Sequence, residues 1–301
     1  MRELSVVVAD SGDIAAVHAH RPQDATTNPS LILKEVESGR SPELIRKARA
    51  EAANGGATLC DRLIVAFGCE ILAGIEGRVS TEVDARLSFD SDATVHKAQE
   101  IIALYRAAGI DPARVLIKIA STWEGLAAAR RLEAEGIHCN MTLIFALPQA
   151  AVAAEAGATL ISPFVGRILD WYKNSEGRDA YPVDEDPGVR SVRSIYQYIH
   201  SRGLATEVMG ASFRNVEQIL GLAGCDLLTI APGLLDELEQ RNTPVEVSID
   251  RIAQQDLVEH CDTSEPGFRW AMNSSAMASD LLADGIRRFA ADQQKLEALL
   301  G

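Results

Sequence analysis

Eight short runs rich in aliphatic and β-branched residues recur along the chain, at 6–10, 22–30, 78–84, 115–120, 137–144, 159–167, 206–214 and 226–232. Helical patterns separate them. A short helix begins at Ser11-Gly12-Asp13, where Asp13 is the candidate cap, and 41–76 is helical with a looser Asn54-Gly55-Gly56 break. Over 93–108, Val95, Ala98, Ile101, Ile102 and Tyr105 fall at helical spacing. Further helices are expected after the fourth run through Leu132, and over 150–156, 188–202 and 215–222. The sixth run is expected to leave its strand into a polar, Gly- and Asp-rich loop. Strands joined by helical crossovers run parallel, and eight such units predict a closed (β/α)8 TIM barrel rather than an open sheet. The 301 residues hold one such barrel, of about 250 residues, with additional helices. A single domain over 1–301 is therefore expected. It includes an irregular polar and acidic excursion over 242–267 and a C-terminal helix over 278–300, with Leu281, Leu282, Ile286, Phe289 and Leu296 on its apolar side.

Composition narrows the function. At 47% hydrophobic and 24% charged residues, the chain is ordinary for a soluble enzyme. A net charge of -14 argues against a nucleic-acid or anionic-membrane surface, though not against an anionic substrate held by a few arginines. The five cysteines are odd in number and form no CxxC pair, which favours reduced thiols over disulfides or zinc. Met1-Arg2-Glu3-Leu4 runs straight into Val6-Val7-Val8 without the sections of a signal peptide. No apolar run approaches the roughly 20 residues of a membrane span. A cytoplasmic enzyme with no nucleic-acid or membrane partner is expected.

The fourth run, Val115-Leu116-Ile117-Lys118-Ile119-Ala120, carries one cation among aliphatic residues, in a chain with six lysines. Burial of an amine disfavours its charged form. A neutral amine at a strand end is a nucleophile that can form a Schiff base with a ketone. The commoner alternative is a lysine that reaches solvent along its apolar stem. What surrounds Lys118 decides between them. Asp10, Thr26, Asn28, Glu82, Asn140, Thr142, Ser162, Arg167, Ser212 and Arg214 all fall at or near the C-terminal ends of the predicted strands. In a barrel those ends meet on one face, where active sites are built.

Each residue alone has a bland reading. Asp10 could cap a helix, Asn28 before Pro29 could be turn chemistry, and the two arginines could pair with surface acids. Their convergence around a lysine is what points to chemistry. The amine would attack a ketone, and the resulting iminium would serve as electron sink for breaking the adjacent C–C bond. Glu82, a water and Thr142 could relay the protons of dehydration, and Asp10 could take a proton from a substrate hydroxyl. Arg167 and Arg214, with Ser212, suit a phosphate. Thr26, Asn28, Asn140 and Ser162 could hydrogen-bond sugar hydroxyls.

Several motifs, in order along nearly the whole chain, are similar to those of the transaldolase family, of the longer bacterial and eukaryotic type. They are Val8-Ala9-Asp10-Ser11-Gly12-Asp13, Asp24-Ala25-Thr26-Thr27-Asn28-Pro29-Ser30, Ser80-Thr81-Glu82-Val83-Asp84-Ala85-Arg86 and Leu116-Ile117-Lys118-Ile119-Ala120-Ser121. They continue with Cys139-Asn140-Met141-Thr142-Leu143, Ile161-Ser162-Pro163-Phe164-Val165-Gly166-Arg167, Met209-Gly210-Ala211-Ser212-Phe213-Arg214-Asn215 and Gly285-Ile286-Arg287-Arg288-Phe289-Ala290. The resemblance implies a Schiff-base barrel enzyme of the pentose phosphate pathway, acting on sugar phosphates without cofactor or metal. It would move a dihydroxyacetone unit from a ketose phosphate to an aldose phosphate. The resemblance puts the Schiff-base lysine at Lys118, the acid/base at Asp10 and the water-holding pair at Glu82 and Thr142. It assigns hydroxyl ligands to Asn28, Asn140 and Ser162, with Thr26 near the catalytic acid. Phosphate ligands fall at Arg167, Ser212 and Arg214, and Phe164 lines the pocket. It is compatible with a homodimer. The short N-terminus and 242–267 depart from the family pattern. Two rivals stand beside this reading. One is a related aldolase that releases free dihydroxyacetone, whose members carry Gln and Tyr where this chain has Glu82 and Phe164. The other is a barrel that has become a scaffold.

Overall fold

The computed structural model describes every residue except Asn54, Gly56, Asn242 and Glu259. Part of the expected 54–56 break and part of the 242–267 excursion therefore lie outside the described residues. The first half of the chain runs β1 (Val6–Asp10), α1 (Ile14–His20), β2 (Asp24–Thr26), α2 (Pro29–Ser38), α3 (Pro42–Ala52), α4 (Leu59–Ala73), β3 (Val79–Glu82), α5 (Ser91–Ala107), β4 (Val115–Ala120) and α6 (Trp123–Ala134). It continues with β5 (Cys139–Ile144), α7 (Leu147–Glu155), β6 (Leu160–Pro163), α8 (Val165–Glu176), α9 (Pro187–Ser201), β7 (Glu207–Gly210) and α10 (Val216–Gly221). The chain ends with β8 (Leu227–Ile230), α11 (Pro232–Glu239), α12 (Glu265–Ser274) and α13 (Ala276–Leu300).

The eight strands pair in parallel, each with its sequence neighbour, and β1 closes on β8. This is the expected (β/α)8 barrel. Most strands are apolar on both faces, because one face meets the helices and the other fills the barrel. Side chains alternate along a strand, so every second residue points inward. Val8, Leu116, Leu160, Met209 and Leu227 meet there and form an apolar floor. A larger apolar layer lies between strands and helices.

Local chemistry sets several boundaries. Asp13, not Asp10, caps α1, its Oδ1 accepting from the Ala16 backbone N–H at 3.1 Å. The second run is a strand only over Asp24–Thr26, because Asn28 caps α2 and Pro29 occupies its first turn. One expectation fails. The sequence after the sixth strand is not a loop but the helix α8, whose Val165, Ile168 and Leu169 are buried. Pro163 and Gly166 hide its start, and Arg167 consequently sits on a helical turn. α12 is likewise unforeseen; its first residues, Glu265 to Gly267, lie within the stretch read as irregular.

α13 spans 25 residues. Its last turns pack Leu296 and Leu300 against Ile32, Leu63 and Phe67 of α2 and α4. Ser30 Oγ donates to Asp292 at 2.5 Å, and Arg86 pairs with Glu297 at 2.5 Å. Among the described residues, no helix is long and apolar enough to cross a membrane. The five cysteines are free thiols.

The opposite, N-terminal end of the barrel is tied by Arg78. Its guanidinium reaches Asp24 of β2 at 3.0 Å and Glu207 of β7 at 2.8 Å. Asp24 is 4% exposed, so removing its cation strands a buried carboxylate. Arg78→Ala is expected to destabilise the fold by about 3 kcal/mol in urea unfolding without changing the barrel's circular dichroism. A change within 0.5 kcal/mol, roughly that of an ordinary surface substitution, would show the tie to be dispensable.

Candidate active site

Above the apolar floor, the inward-facing positions turn polar. Two residues beyond Val8 lies Asp10, beyond Leu116 lies Lys118, beyond Leu160 lies Ser162, and beyond Leu227 lies Thr229. The same alternation places Thr26, Glu82, Asn140 and Thr142 on β2, β3 and β5. The register puts Glu82 beside Lys118 and Lys118 beside Asn140. A cavity of about 70 Å³ opens here, with Asp10, Thr26, Asn28, Lys118, Ser162 and Arg167 in its wall.

Lys118 is 4% exposed and does not snorkel to solvent. Its Nζ lies 3.5 Å from Glu82 Oε2 and donates to the Thr27 carbonyl at 3.3 Å. At 3.5 Å this contact is too long for a well-formed hydrogen bond, and Glu82 Oε2 has no other partner. Burial pushes the Glu82 carboxyl up to about 7; Lys118 and Arg167 pull it down, and Asp10 pushes it further up. Burial also raises the Asp10 carboxyl above the ordinary carboxylate range, opposed by Lys118 and Arg167. The amine thus sits beside a carboxyl, Glu82, that exchanges its proton near neutral pH, as proton transfer at this site would require.

A polar network fixes the neighbouring side chains. Asn140 Nδ2 donates to Ser80 Oγ at 2.9 Å, and Ser162 Oγ donates to Asn140 Oδ1 at 2.6 Å. Thr26 Oγ1, Thr142 Oγ1 and Thr229 Oγ1 are buried without a protein partner. Asn28 does two things. Its Oδ1 accepts from the Leu31 N–H at 2.9 Å, capping α2, and the side chain also borders the cavity.

The two arginines differ. Arg214 is exposed and pairs with Asp170 of α8 at 2.8 Å, and its Nη1 donates to Ser212 Oγ at 3.3 Å. Pairing with a surface acid therefore holds for Arg214. It does not hold for Arg167, whose Nη1 is buried with no hydrogen-bond partner. Burial, with Arg288 and Arg214 nearby, pulls the Arg167 guanidinium below its usual value. Ser212 adopts a left-handed φ of 62°, which is uncommon for serine and marks a constrained loop. Its carbonyl accepts from the Gly166 N–H at 3.0 Å. A Cβ at Gly166 would lie 2.2 Å from that carbonyl oxygen, so only glycine lets α8 and the β7 loop meet. Phe164 stands at the start of α8, 6% exposed, and borders the cavity.

Eight of the twelve expected site residues line the cavity; Glu82, Asn140 and Arg214 adjoin it through Lys118, Ser162 and Ser212, and Thr142 lies two residues beyond Asn140 on β5. Four were missed: Thr229, Met209, Ala211 and Phe289 also line the cavity. Strand periodicity gave a signal for the first three, since each lies an even number of residues from an inward position. Nothing in the sequence shows that Phe289 of α13 returns to the barrel mouth. Larger clefts exist elsewhere, one of about 630 Å³ beside α8 and α9 and one of about 820 Å³ at the N-terminal end, but neither contains a buried amine.

Fold and site define a class, a (β/α)8-barrel enzyme whose polar rim surrounds one buried lysine. The sequence pattern of the transaldolase/fructose-6-phosphate aldolase family matches residues 7–300, and the chain belongs to that family. It is 53% identical over 308 aligned residues to a protein of Pseudoalteromonas atlantica named transaldolase, covering 100% of this chain and 96% of that one. It is 54% identical, with the same coverage, to a transaldolase of Alteromonas mediterranea.

The raised Glu82 carboxyl has a consequence for stability. Folded protein keeps a proton that the unfolded chain releases from about pH 4.5, so this group's contribution to stability falls as pH rises towards 7. Glu82→Gln carries no such proton. Relative to the parent, its urea-unfolding stability should improve by roughly 1–3 kcal/mol between those pH values. A gap that stays constant with pH would show that Glu82 is ionised throughout.

Proposed function

We propose that the chain is a transaldolase that carries a dihydroxyacetone unit on Lys118 from a ketose phosphate to an aldose phosphate. The observation that supports this most directly is the buried Lys118 Nζ, 3.5 Å from Glu82 and sharing a cavity with Asp10. The donors are sedoheptulose 7-phosphate or fructose 6-phosphate; the acceptors are glyceraldehyde 3-phosphate or erythrose 4-phosphate. This places the enzyme in the non-oxidative pentose phosphate pathway, in the cytoplasm.

In this reading the Lys118 amine adds to the ketone carbonyl. The carbinolamine hydroxyl leaves as water once protonated by Glu82, with Thr142 positioning a water between them. Asp10 then takes the proton of the C4 hydroxyl. The C3–C4 bond breaks, its electron pair flows into the iminium, and an aldose phosphate departs. The remaining enamine attacks the acceptor aldehyde, whose oxygen regains the proton from Asp10. Hydrolysis then frees Lys118. Asn28, Asn140 and Ser162 hold hydroxyls of the bound unit, with Thr26 beside Asp10. Arg167, Arg214 and Ser212 hold the phosphate through charge-assisted hydrogen bonds.

Mixing the protein with fructose 6-phosphate, reducing with borohydride and mapping the adduct should place a three-carbon addition on the Lys118 peptide. Lys118→Ala should give no adduct and no transfer while remaining folded; an active variant would overturn the mechanism. Steady dihydroxyacetone release without an acceptor would favour the aldolase reading instead. Arg214→Ala should raise KM for phosphorylated donors with kcat little changed. Equal kinetics on phosphorylated and unphosphorylated sugars would sink the phosphate assignment.

A further inference from the structure

The two arginines on the rim are held by different physics. Arg214 leans on a carboxylate, Asp170, at 2.8 Å, which neutralises part of its charge. Among the described residues, Arg167 has no ion-pair partner within 4.0 Å. Aromatic rings flank it instead. Its Cζ lies 4.9 Å from the Phe164 ring centre and 5.6 Å from that of Phe289, both within cation–π range. Phe164 precedes α8 on the same segment as Arg167. Phe289 comes from α13, far along the chain, and is 2% exposed.

The approach of α13 is a built feature. Gly285 lies one turn before Phe289, on the same helix face. A Cβ at Gly285 would fall 2.7 Å from Leu143 Cδ2 and 3.4 Å from Arg167 Nη1. A side chain there would push on Leu143 and crowd the guanidinium, so the bare glycine leaves room for the helix to pass close to Arg167. Beyond Phe289 the helix is anchored by the Ser30–Asp292 hydrogen bond at 2.5 Å and by burial of Leu296.

Aromatic faces stabilise a buried cation without occupying its N–H groups. A carboxylate would consume those donors. Arg167 Nη1 accordingly remains buried and unpartnered. We infer that Phe289 is a positioning residue. With Phe164 it holds the Arg167 guanidinium by its faces, so that the N–H edge and the full charge stay available to the phosphate of the sugar. The C-terminal helix thereby sets affinity for the phosphorylated end of the substrate while touching none of the reacting atoms. This rests on the phosphate role proposed for Arg167.

The test replaces Phe289 in the full-length enzyme in two ways. Phe289→Leu removes the ring. Trifluorophenylalanine at 289 keeps its shape but weakens the negative face that attracts a cation. For both, KM for fructose 6-phosphate and the inhibition constant of inorganic phosphate should rise, about fivefold or more for Phe289→Leu, with kcat little changed. The fluorinated ring guards against a folding defect, since it fills the same space. Unchanged constants with the fluorinated ring, or a fall in kcat with KM and phosphate inhibition unaltered, would overturn the inference and leave Phe289 as packing only. Borohydride trapping on the parent separates the two levels: no Lys118 adduct there overturns the proposed function, whereas an adduct with phosphate-insensitive Phe289 variants overturns the positioning role alone.

Discussion

The closed ring of parallel strands is the constraint on which the site depends. A buried lysine and two buried carboxyls are costly to hold together, because each charge loses its hydration. Here the cost falls on protonation: the Glu82 carboxyl moves up to about 7 instead of staying fully ionised. A flexible surface would relieve the same strain by letting the side chains reach water. The barrel does not allow it. Lys118 and Glu82 are paired in register on adjacent strands, backbone to backbone, and the apolar floor of Val8, Leu116 and Leu160 closes the interior below them.

Position along each strand then divides labour. The lower inward layer is apolar and supplies packing; the layer two residues above is polar and borders the cavity. Asn140 links the two sides of the rim by receiving Ser162 and donating to Ser80, so β3, β5 and β6 share one hydrogen-bonded frame. Buried polar groups that are satisfied in this way rigidify a site, whereas unpartnered ones such as Thr142 Oγ1 mark where a ligand or water can bind. At the outer edge the site becomes cationic. There the β7 loop and α8 are pressed together across Gly166, and α13 crosses over from the far end of the chain.

Much of this was legible from sequence because strand ends in a barrel are topologically equivalent. Once eight βα units are counted, polar residues at the C-terminal ends of the strands lie at the same end of the barrel, so Asp10, Lys118 and Arg214 could be grouped despite their separation. What was not legible follows from the same logic. The polar, Gly- and Asp-rich composition after the sixth run hides α8, and the buried Val165, Ile168 and Leu169 become meaningful only against their packing partners. Thr229 sits inside an apolar strand, where threonine is normally just a good β residue.

The sequence by itself determined the fold class and which polar side chains stand at the strand ends, because strand–helix alternation and residue type are local properties. The tertiary structure alone decided which groups pair. It placed Arg214 against Asp170 and Arg167 between two rings, made Asn28 both a helix cap and part of the cavity wall, and brought Phe289 over the mouth. Those outcomes depend on distances between segments remote in sequence. Such distances are set by how helices pack around a closed sheet, which no local pattern encodes.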